Sequence, residues 1–201
     1  MKNALFVIVL MLATACNSLD GPRRGPGSPG YIEKGESLYD GKRFVKLVPG
    51  SLFDADNTPG VFRLGLIWDE RYGDNLHLIA AFPLGKVTST SELRKSTEIL
   101  TVKIDGKKVS LPRVKDSIQI IEDNTISKEH EANIKYKISR QTVKLLLSSK
   151  HVVLTLNTPG KVFEGRLHVP AKARNYYEDV YYTALSGLKR FYKEVWGERE
   201  K

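Results

Sequence analysis

Residues 98–111 read EILTVKIDGKKVSL and contain the clearest hairpin signal of the sequence. Its first half alternates between two sets of side chains, which is the period of a β-strand with one buried face. The pair Asp105-Gly106 separates the two halves, and glycine tolerates the positive φ that a two-residue hairpin turn requires. We therefore expect two antiparallel strands, with Leu100, Val102 and Ile104 facing the core.

Short segments rich in β-branched and aromatic residues predict further strands on both sides of this hairpin. The first of them is expected to end at Pro49-Gly50. The sequence Asn157-Thr158-Pro159-Gly160 is expected to form the turn of another hairpin. The predicted strands are residues 44–48, 61–68, 76–82, 118–121, 134–138, 151–156 and 162–169.

Two segments have the period of a helix instead. Ser139 is a residue type that caps helix N-termini, and a short helix is expected to follow it, with Val143, Leu146 and Leu147 facing inward. Residues 172–196 predict a long amphipathic helix that ends before Gly197. Its apolar stripe consists of Tyr177, Tyr181, Ala184, Leu188, Phe191 and Val195. The expected fold class is α+β, an antiparallel β-sheet with a short helix and a long C-terminal amphipathic helix packed on one face.

Residues 1–15 have the charge and hydropathy profile of a secretory signal peptide. Lys2 forms the positive end, and residues 4–15 are apolar apart from Thr14. The apolar run is shorter than the roughly 20 residues that a membrane-spanning helix needs, so we expect it to be cleaved. The single cysteine of the chain, Cys16, follows it directly.

The sequence Ala13-Thr14-Ala15-Cys16 resembles the lipobox of bacterial lipoproteins, which ends in a small residue and cysteine. The family usually has leucine where this chain has Ala13, and Leu12 lies one place earlier. The resemblance covers residues 1–16 and implies cleavage before Cys16 by signal peptidase II and transfer of a lipid to the Cys16 sulfur. No family is recognised for the rest of the chain.

The resemblance implies a membrane anchor at Cys16, since two or three acyl chains hold a protein stably at a bilayer. In lipoproteins of Gram-negative bacteria, an aspartate directly after the cysteine favours retention at the inner membrane. Asn17 stands there in this chain. The expected location is therefore the cell envelope, at the outer membrane.

The segment between anchor and fold is rich in glycine and proline. Residues 21–30 read GPRRGPGSPG, in which proline lacks an amide donor and glycine loses entropy on ordering. Residues 17–30 are thus expected to form a flexible tether with a reach of roughly 40 Å. We divide the chain into a signal peptide (1–15), the lipidated cysteine with its linker (16–30) and a single globular α+β domain (31–201).

Charge and cysteine content exclude several classes of function. The chain has 32 Lys and Arg against 23 Asp and Glu, which gives a net charge of +9. This excess favours an acidic protein or another anionic envelope component as a partner. No nucleic acid is expected, because the sequence has no motif that reads one. A lone cysteine excludes internal disulfides and thiolate metal sites.

Tyrosines in the predicted C-terminal helix mark a candidate binding surface. Tyr176 and Tyr182 fall at the edge of the apolar stripe or outside it, close to Lys172 and Arg174. Tyrosine offers stacking area and a hydroxyl group, so this surface suits a glycan, a lipid headgroup or a protein. Alternatively, these tyrosines lie at the border of the core with their hydroxyl groups in water.

Motifs of catalysis are missing from the sequence, which has no Gly-x-Ser-x-Gly, no His-Glu-x-x-His and no phosphate-binding glycine loop. Asp69, Glu70 and Asp74 share a predicted turn, where carboxylates are usually solvated. The histidines of the chain are His77, His130, His151 and His168. All but His130 lie in predicted strands and could converge in space. We expect no catalytic residue, no cofactor and no metal site.

Three functions stay open at this point. The favoured one is a non-enzymatic envelope lipoprotein that binds a protein or an anionic envelope component in an accessory role. The second is a periplasmic inhibitor or immunity-type lipoprotein, whose charged loop at residues 122–131 enters the cleft of a target. The third is a hydrolase with a site assembled from distant residues.

Overall fold

The computed structural model describes residues 26–84, 90–122, 130–168 and 183–197. The strands in these ranges are β1 (Ile32–Glu36), β2 (Arg43–Phe53), β3 (Pro59–Asp69), β4 (Asn75–Pro83), β5 (Ile99–Ile104), β6 (Lys107–Pro112), β7 (Gln119–Glu122), β8 (His130–Ser139), β9 (Val152–Thr158) and β10 (Lys161–Arg166). The α-helices are α1 (Thr90–Ser96), α2 (Arg140–Ser148) and α3 (Ala184–Trp196). A short 3₁₀ helix, Glu70–Tyr72, lies between β3 and β4.

All strands join one antiparallel sheet. Their order is β6-β5-β9-β10-β2-β3-β4-β8-β7, and β1 pairs with the first half of β2. The chain that leaves β6 returns to the other end of this order, where Arg113 forms an antiparallel bridge to Tyr136 of β8. The sheet therefore curls until its two ends meet, and α3 packs against β2 and β3.

Side-chain alternation along the strands gives the sheet its buried side. Leu64 and Leu66 of β3, Leu78 of β4 and Ile134 of β8 are fully buried, and the residues between them point the other way. These side chains form one apolar cluster with residues of α3 such as Leu188. We call the side of the sheet that faces this cluster the inner face, and the opposite side the outer face.

The hairpin predicted at Asp105-Gly106 is confirmed. β5 and β6 pair across it, and both turn residues have positive φ, 45° for Asp105 and 88° for Gly106. The three residues expected to face the core are buried: Leu100, Val102 and Ile104. The Asp105 carboxylate also accepts a hydrogen bond of 2.9 Å from the His151 amide, which connects the turn to the start of β9.

The fold-class prediction is confirmed only in its coarser part. An antiparallel sheet with a C-terminal helix is present, but strands dominate the described residues and the helices are small. The described chain is thus predominantly β, with small helices, and is not clearly α+β. One reason is that β2 and β3 are longer than their predicted counterparts, with 11 residues each.

The prediction of a single helix over residues 172–196 is wrong. Thr183 has an extended backbone, with φ −76° and ψ 149°, and its hydroxyl group accepts a hydrogen bond from the Ser186 amide. This is the geometry of an N-cap, so α3 begins at Ala184. The apolar period continues across Thr183, which is why the pattern alone does not reveal the boundary. Within α3 the predicted stripe is confirmed, because its members are buried: Ala184, Leu188, Phe191 and Val195.

The predicted end of the first strand at Pro49-Gly50 is also wrong. β2 continues to Phe53, and its register against β3 shifts between Leu47 and Gly50. Such a bulge leaves a residue outside the hydrogen-bonded ladder, so a proline without an amide donor is tolerated there. The prediction for the short helix is confirmed, since Ser139 caps α2 and accepts a hydrogen bond from the Thr142 amide at 3.2 Å.

Candidate binding groove

The outer face of β2, β3, β4 and β8 carries a groove of about 600 Å³. This volume falls within the range of roughly 300–1,000 Å³ that small-ligand sites occupy. Gly27 and Glu33 border the groove at one end, and Gln119 and Ile121 of β7 border it at the other. The groove therefore runs across the strands.

The floor of the groove is apolar. Ile67 of β3 and Ile79 of β4 line it, and Ile79 is 4 % exposed although it lies outside the core cluster. Gly65 pairs with Ile79, and a Cβ on Gly65 would collide with the Leu47 carbonyl oxygen and lie 3.1 Å from the Pro49 nitrogen. Because Gly65 has no side chain, the bulge of β2 can approach β3 and form one wall of the groove.

Two ion pairs lie in the walls. Lys46 of β2 bonds Glu33 of β1 at 2.9 Å, and Arg63 of β3 pairs with Glu131 of β8. All four side chains are partly buried, which weakens the screening of their charges by water. Both carboxylates that line the groove are thus neutralised by a neighbouring cation.

Two polar groups of β8 face the groove without such a partner. The Oδ1 atom of Asn133 is buried and accepts no hydrogen bond. Lys135 lies two residues further along the same face, and no ion pair joins its ammonium group to a carboxylate of the described residues. Its backbone is fixed, because the Ser117 hydroxyl accepts a hydrogen bond from the Lys135 amide at 3.3 Å.

Further positive charge lies beside this pair. In the sheet register, His77 of β4 pairs with Lys137 of β8, and Ile79 of β4 pairs with Lys135 of β8. Partial burial is the main cause that lowers the pKa of His77, and the charges of Lys135 and Lys137 lower it further, whereas Asp69 raises it. Positive charge at this side of the groove therefore comes from the two lysines of β8.

The start of the described chain is bonded to the border of the groove. The Gly30 amide donates to the Val48 carbonyl at 3.0 Å, and the Val48 amide donates to the Tyr31 carbonyl at 2.9 Å. Arg190 of α3 donates to the Gly30 carbonyl at 2.8 Å. The predicted linker was expected to be flexible throughout, but its last residue is held against β2 and α3.

The predicted site residues lie outside the described residues. This applies to Cys16 and to the tyrosine surface of Lys172, Arg174, Tyr176 and Tyr182. Most of the loop assigned to the inhibitor hypothesis, residues 123–129, also lies outside them. The lipid attachment, the tyrosine surface and the inhibitory loop therefore stay predictions.

The histidines do not form a metal site in the described ranges. His77 pairs with Lys137, which is seven residues from His130, a distance of about 23 Å along a strand. His151 and His168 flank the paired ends of β9 and β10, but Nε2 of His168 lies 3.0 Å from the Leu146 carbonyl oxygen and the His151 residue is exposed. No group of three His, Cys, Asp or Glu residues suited to a metal occurs among the residues that the structure describes.

Carboxylates of the turn after β3 have structural partners. Asp69 caps the 3₁₀ helix by accepting the Arg71 amide at 3.0 Å, and the hydrogen bond from the Arg71 side chain lowers the pKa of Asp69. Glu70 accepts a hydrogen bond of 3.1 Å from the Arg43 amide. The Asp69 side chain thus stabilises the turn itself, and the Glu70 side chain holds the turn against β2.

The chain matches no protein-family model, and comparisons with curated proteins and with solved structures find no match. None of the helices in the described ranges is both long and apolar enough to cross a membrane. The geometry of the groove is therefore the basis for the functional proposal.

The sequence contains one signal for the groove, on the outward positions of β8. Lys135 and Lys137 alternate with buried Ile134 and Tyr136 along β8, and Arg63 occupies the same kind of position on β3. A strand whose outward positions are basic points to a functional outer face. The strand order decides which of these positions become neighbours.

Proposed function

We propose that this protein is a membrane-anchored envelope lipoprotein whose groove binds an envelope component without catalysing a reaction. The observation that carries the proposal is the composition of the groove. An apolar floor at Ile67 and Ile79 lies beside Asn133, whose buried Oδ1 accepts no hydrogen bond from the described residues, and beside Lys135, which forms no ion pair with their carboxylates. Apolar surface supplies affinity and a few placed polar groups supply specificity, which is typical of ligand sites.

The N-terminal sequence supports the anchor. Cys16 follows an apolar run that is too short to span a bilayer, and its surroundings resemble a lipobox. A lipidated Cys16 is separated from Gly27, at the border of the groove, by a segment that spans at most about 40 Å. The groove would then work close to the membrane surface, and we place the protein at the outer membrane because Asn17 follows the cysteine.

The charge of the chain favours an anionic partner. Cleavage before Cys16 removes Lys2 and leaves 31 Lys and Arg against 23 Asp and Glu, a net charge of +8 that attracts acidic proteins and anionic envelope components and raises their rate of encounter at low salt. Lys135 and Lys137 bring part of this charge to the groove and its margin. The membrane anchor and the charged groove would together restrict the search for a partner to one surface.

The anchor is tested by labelling cells with radioactive palmitate. We expect label in the wild-type chain and none in the Cys16→Ala variant, together with loss of the variant from the membrane fraction. Mass spectrometry of the purified wild-type chain provides the control, because it detects the lipid directly. An unmodified Cys16 thiol, or an uncleaved leader, would contradict the anchor.

Binding in the groove is tested by a photo-crosslinking amino acid placed at single positions in cells. Ile121 borders the groove and is 46 % exposed, and Val162 of β10 is a matched exposed position, at 59 %, that does not line the groove. We expect a discrete adduct at position 121 and none at position 162. Equal adducts at both positions would indicate random encounters and would argue against the groove as the binding site.

A further inference from the structure

We infer that the ligand of the groove is a short anionic peptide bound in extended conformation. This inference rests on the proposed function, since it names the chemistry of the partner at the same groove. Four features of the groove support it: its length, an orphaned acceptor, an excess of positive charge at one end and an apolar floor.

The length of the groove fits an extended peptide. The groove crosses the sheet from β2 to β7, which are separated by β3, β4 and β8. Four spacings of about 4.8 Å between neighbouring strands give a length of about 19 Å, which about six residues of extended chain would span.

The orphaned acceptor calls for a donor on the ligand. Oδ1 of Asn133 is buried in the structure and accepts no hydrogen bond. A peptide carries an N–H group at nearly every residue and can satisfy this oxygen. An ionised carboxylate offers only acceptors, so a carboxylate alone does not suit the position of Asn133.

Charge at the β8 side of the groove calls for an anion on the same ligand. Lys46 and Arg63 are neutralised by their glutamates, whereas Lys135 has no carboxylate partner among the described residues. Lys137 lies two residues from Lys135 on the same face and adds a second positive charge. An acidic side chain, or the C-terminal carboxylate of the peptide, would pair with Lys135 while the peptide backbone contacts Asn133.

The apolar floor of the groove is the fourth feature that supports a peptide ligand. Ile67 and Ile79 present apolar surface between the two polar regions. In an extended peptide, alternate side chains point to opposite sides. One apolar side chain would therefore pack on the floor while its neighbours project towards the walls or into water.

The inference is tested by fluorescence anisotropy with the full chain in detergent. The probe is a fluorescein-labelled hexapeptide of alternating valine and glutamate, and its control has glutamine in place of glutamate. We expect the acidic peptide to bind at least about tenfold more tightly, because hydrogen bonds to charged groups are stronger than neutral ones. Equal affinity for the two peptides, or no binding, would overturn the inference.

A pair of variants locates the binding. Lys135→Gln removes the unpaired charge of the groove, and Lys103→Gln removes an exposed charge from β5, away from the groove. We expect Lys135→Gln to weaken binding of the acidic peptide about tenfold and Lys103→Gln to weaken it less than about twofold. An equal loss in both variants would mean general attraction to a basic protein and would overturn the inference.

A competitor separates a peptide ligand from a lipid headgroup. Short-chain dihexanoyl phosphatidylglycerol carries an anion, an apolar part and the hydroxyl donors of its glycerol headgroup, but it has no peptide backbone that could lie extended along the groove. We expect it to displace the labelled peptide only weakly, and displacement at a concentration equal to that of the peptide would overturn the inference. If the peptides fail to bind while the adduct at position 121 persists, the inference fails and the proposed function stands. Loss of both the peptide binding and the adduct at position 121 would contradict the inference and the proposed function together.

Discussion

The inner and outer faces of β2, β3, β4 and β8 are built from alternating residues of the same strands, yet they have different composition. On the inner face, fully buried side chains such as Leu66 and Leu78 join the core cluster that α3 completes. On the outer face, Lys46, Arg63 and Lys135 surround a small apolar floor. The inner positions therefore determine stability, whereas the outer positions are available for binding. Substitutions on each face test this division.

Leu66 and Ile67 are sequence neighbours on opposite faces of β3 and give the largest expected contrast. Leu66→Ala should lower the free energy of unfolding by about 4 kcal/mol, because it opens a cavity in a fully buried cluster. Ile67→Ala, at a partly buried position, should cost about 1 kcal/mol. Urea unfolding of the full chain measures both values. Equal losses would mean that the outer face is as tightly packed as the core.

Gly65 and Gly187 contact the same residue, Leu47, from opposite faces of the sheet. A Cβ on Gly65 would meet the Leu47 backbone oxygen, whereas a Cβ on Gly187 would lie 2.8 Å from the Leu47 Cδ1 atom, at the end of a flexible side chain. Gly65→Ala should therefore cost about 3 kcal/mol and Gly187→Ala about 1 kcal/mol. Urea unfolding measures the difference, and the reverse order would contradict the role given to the β2 bulge.

Two tyrosines allow the faces to be compared, since Tyr136 lies on the inner face and Tyr72 lies beside the outer face. The buried Tyr136 hydroxyl donates to the Thr97 carbonyl at 2.9 Å, while Tyr72 is 53 % exposed and its ring lies tilted against the His77 ring, with 5.8 Å between the ring centroids. Tyr136→Phe leaves the Thr97 carbonyl without this donor and should cost about 1–2 kcal/mol. Tyr72→Phe should change the stability by less than about 0.5 kcal/mol. Thermal unfolding of both variants checks the contrast.

The smallest expected effect is a pH dependence from the outer face. Burial and the neighbouring lysines lower the pKa of His77 below its ordinary value of 6.5, so the unfolded chain binds this proton more readily than the folded chain. This contribution to stability is complete above pH 6.5 and decreases as the pH falls from 6.5 towards the folded-state pKa. His77→Gln should remove that decrease in urea titrations between pH 7 and pH 5. If the free energy of unfolding of the variant still decreases by the same amount between pH 7 and pH 5, His77 is not the source of the decrease.

Local features of the fold were predictable from the sequence. The Asp105-Gly106 turn, the inward residues of β5 and the Ser139 cap each depend on neighbouring residues, and each is confirmed. The end of β2 was predicted incorrectly because it depends on a distant contact, and the start of α3 was missed because the apolar period continues across the Thr183 N-cap. β2 continues past Pro49 only because β3 offers Gly65 beside its bulge.

The groove was less predictable than the fold. β8 shows basic residues at alternate positions, Lys135 and Lys137, and β3 carries a single one, Arg63, but the sequence does not state that β8 lies beside β4 or that β1 pairs with β2. The predicted surface around Tyr176 and Tyr182 was found from a local pattern, and it stays a prediction. Glu131 and Arg63 form a wall of the groove although 68 positions separate them in the chain.

By itself, the sequence determined which side of each central strand is apolar, where the tight turns lie and that Cys16 follows a signal-like segment. The tertiary structure alone decided which strands are neighbours, and with that the groove between Lys46, Asn133 and Lys135. The physical reason is the separation along the chain over which each interaction acts. Side-chain alternation and turn preferences act between adjacent residues, whereas strand pairing depends on the total free energy of contacts between segments that are far apart in the chain.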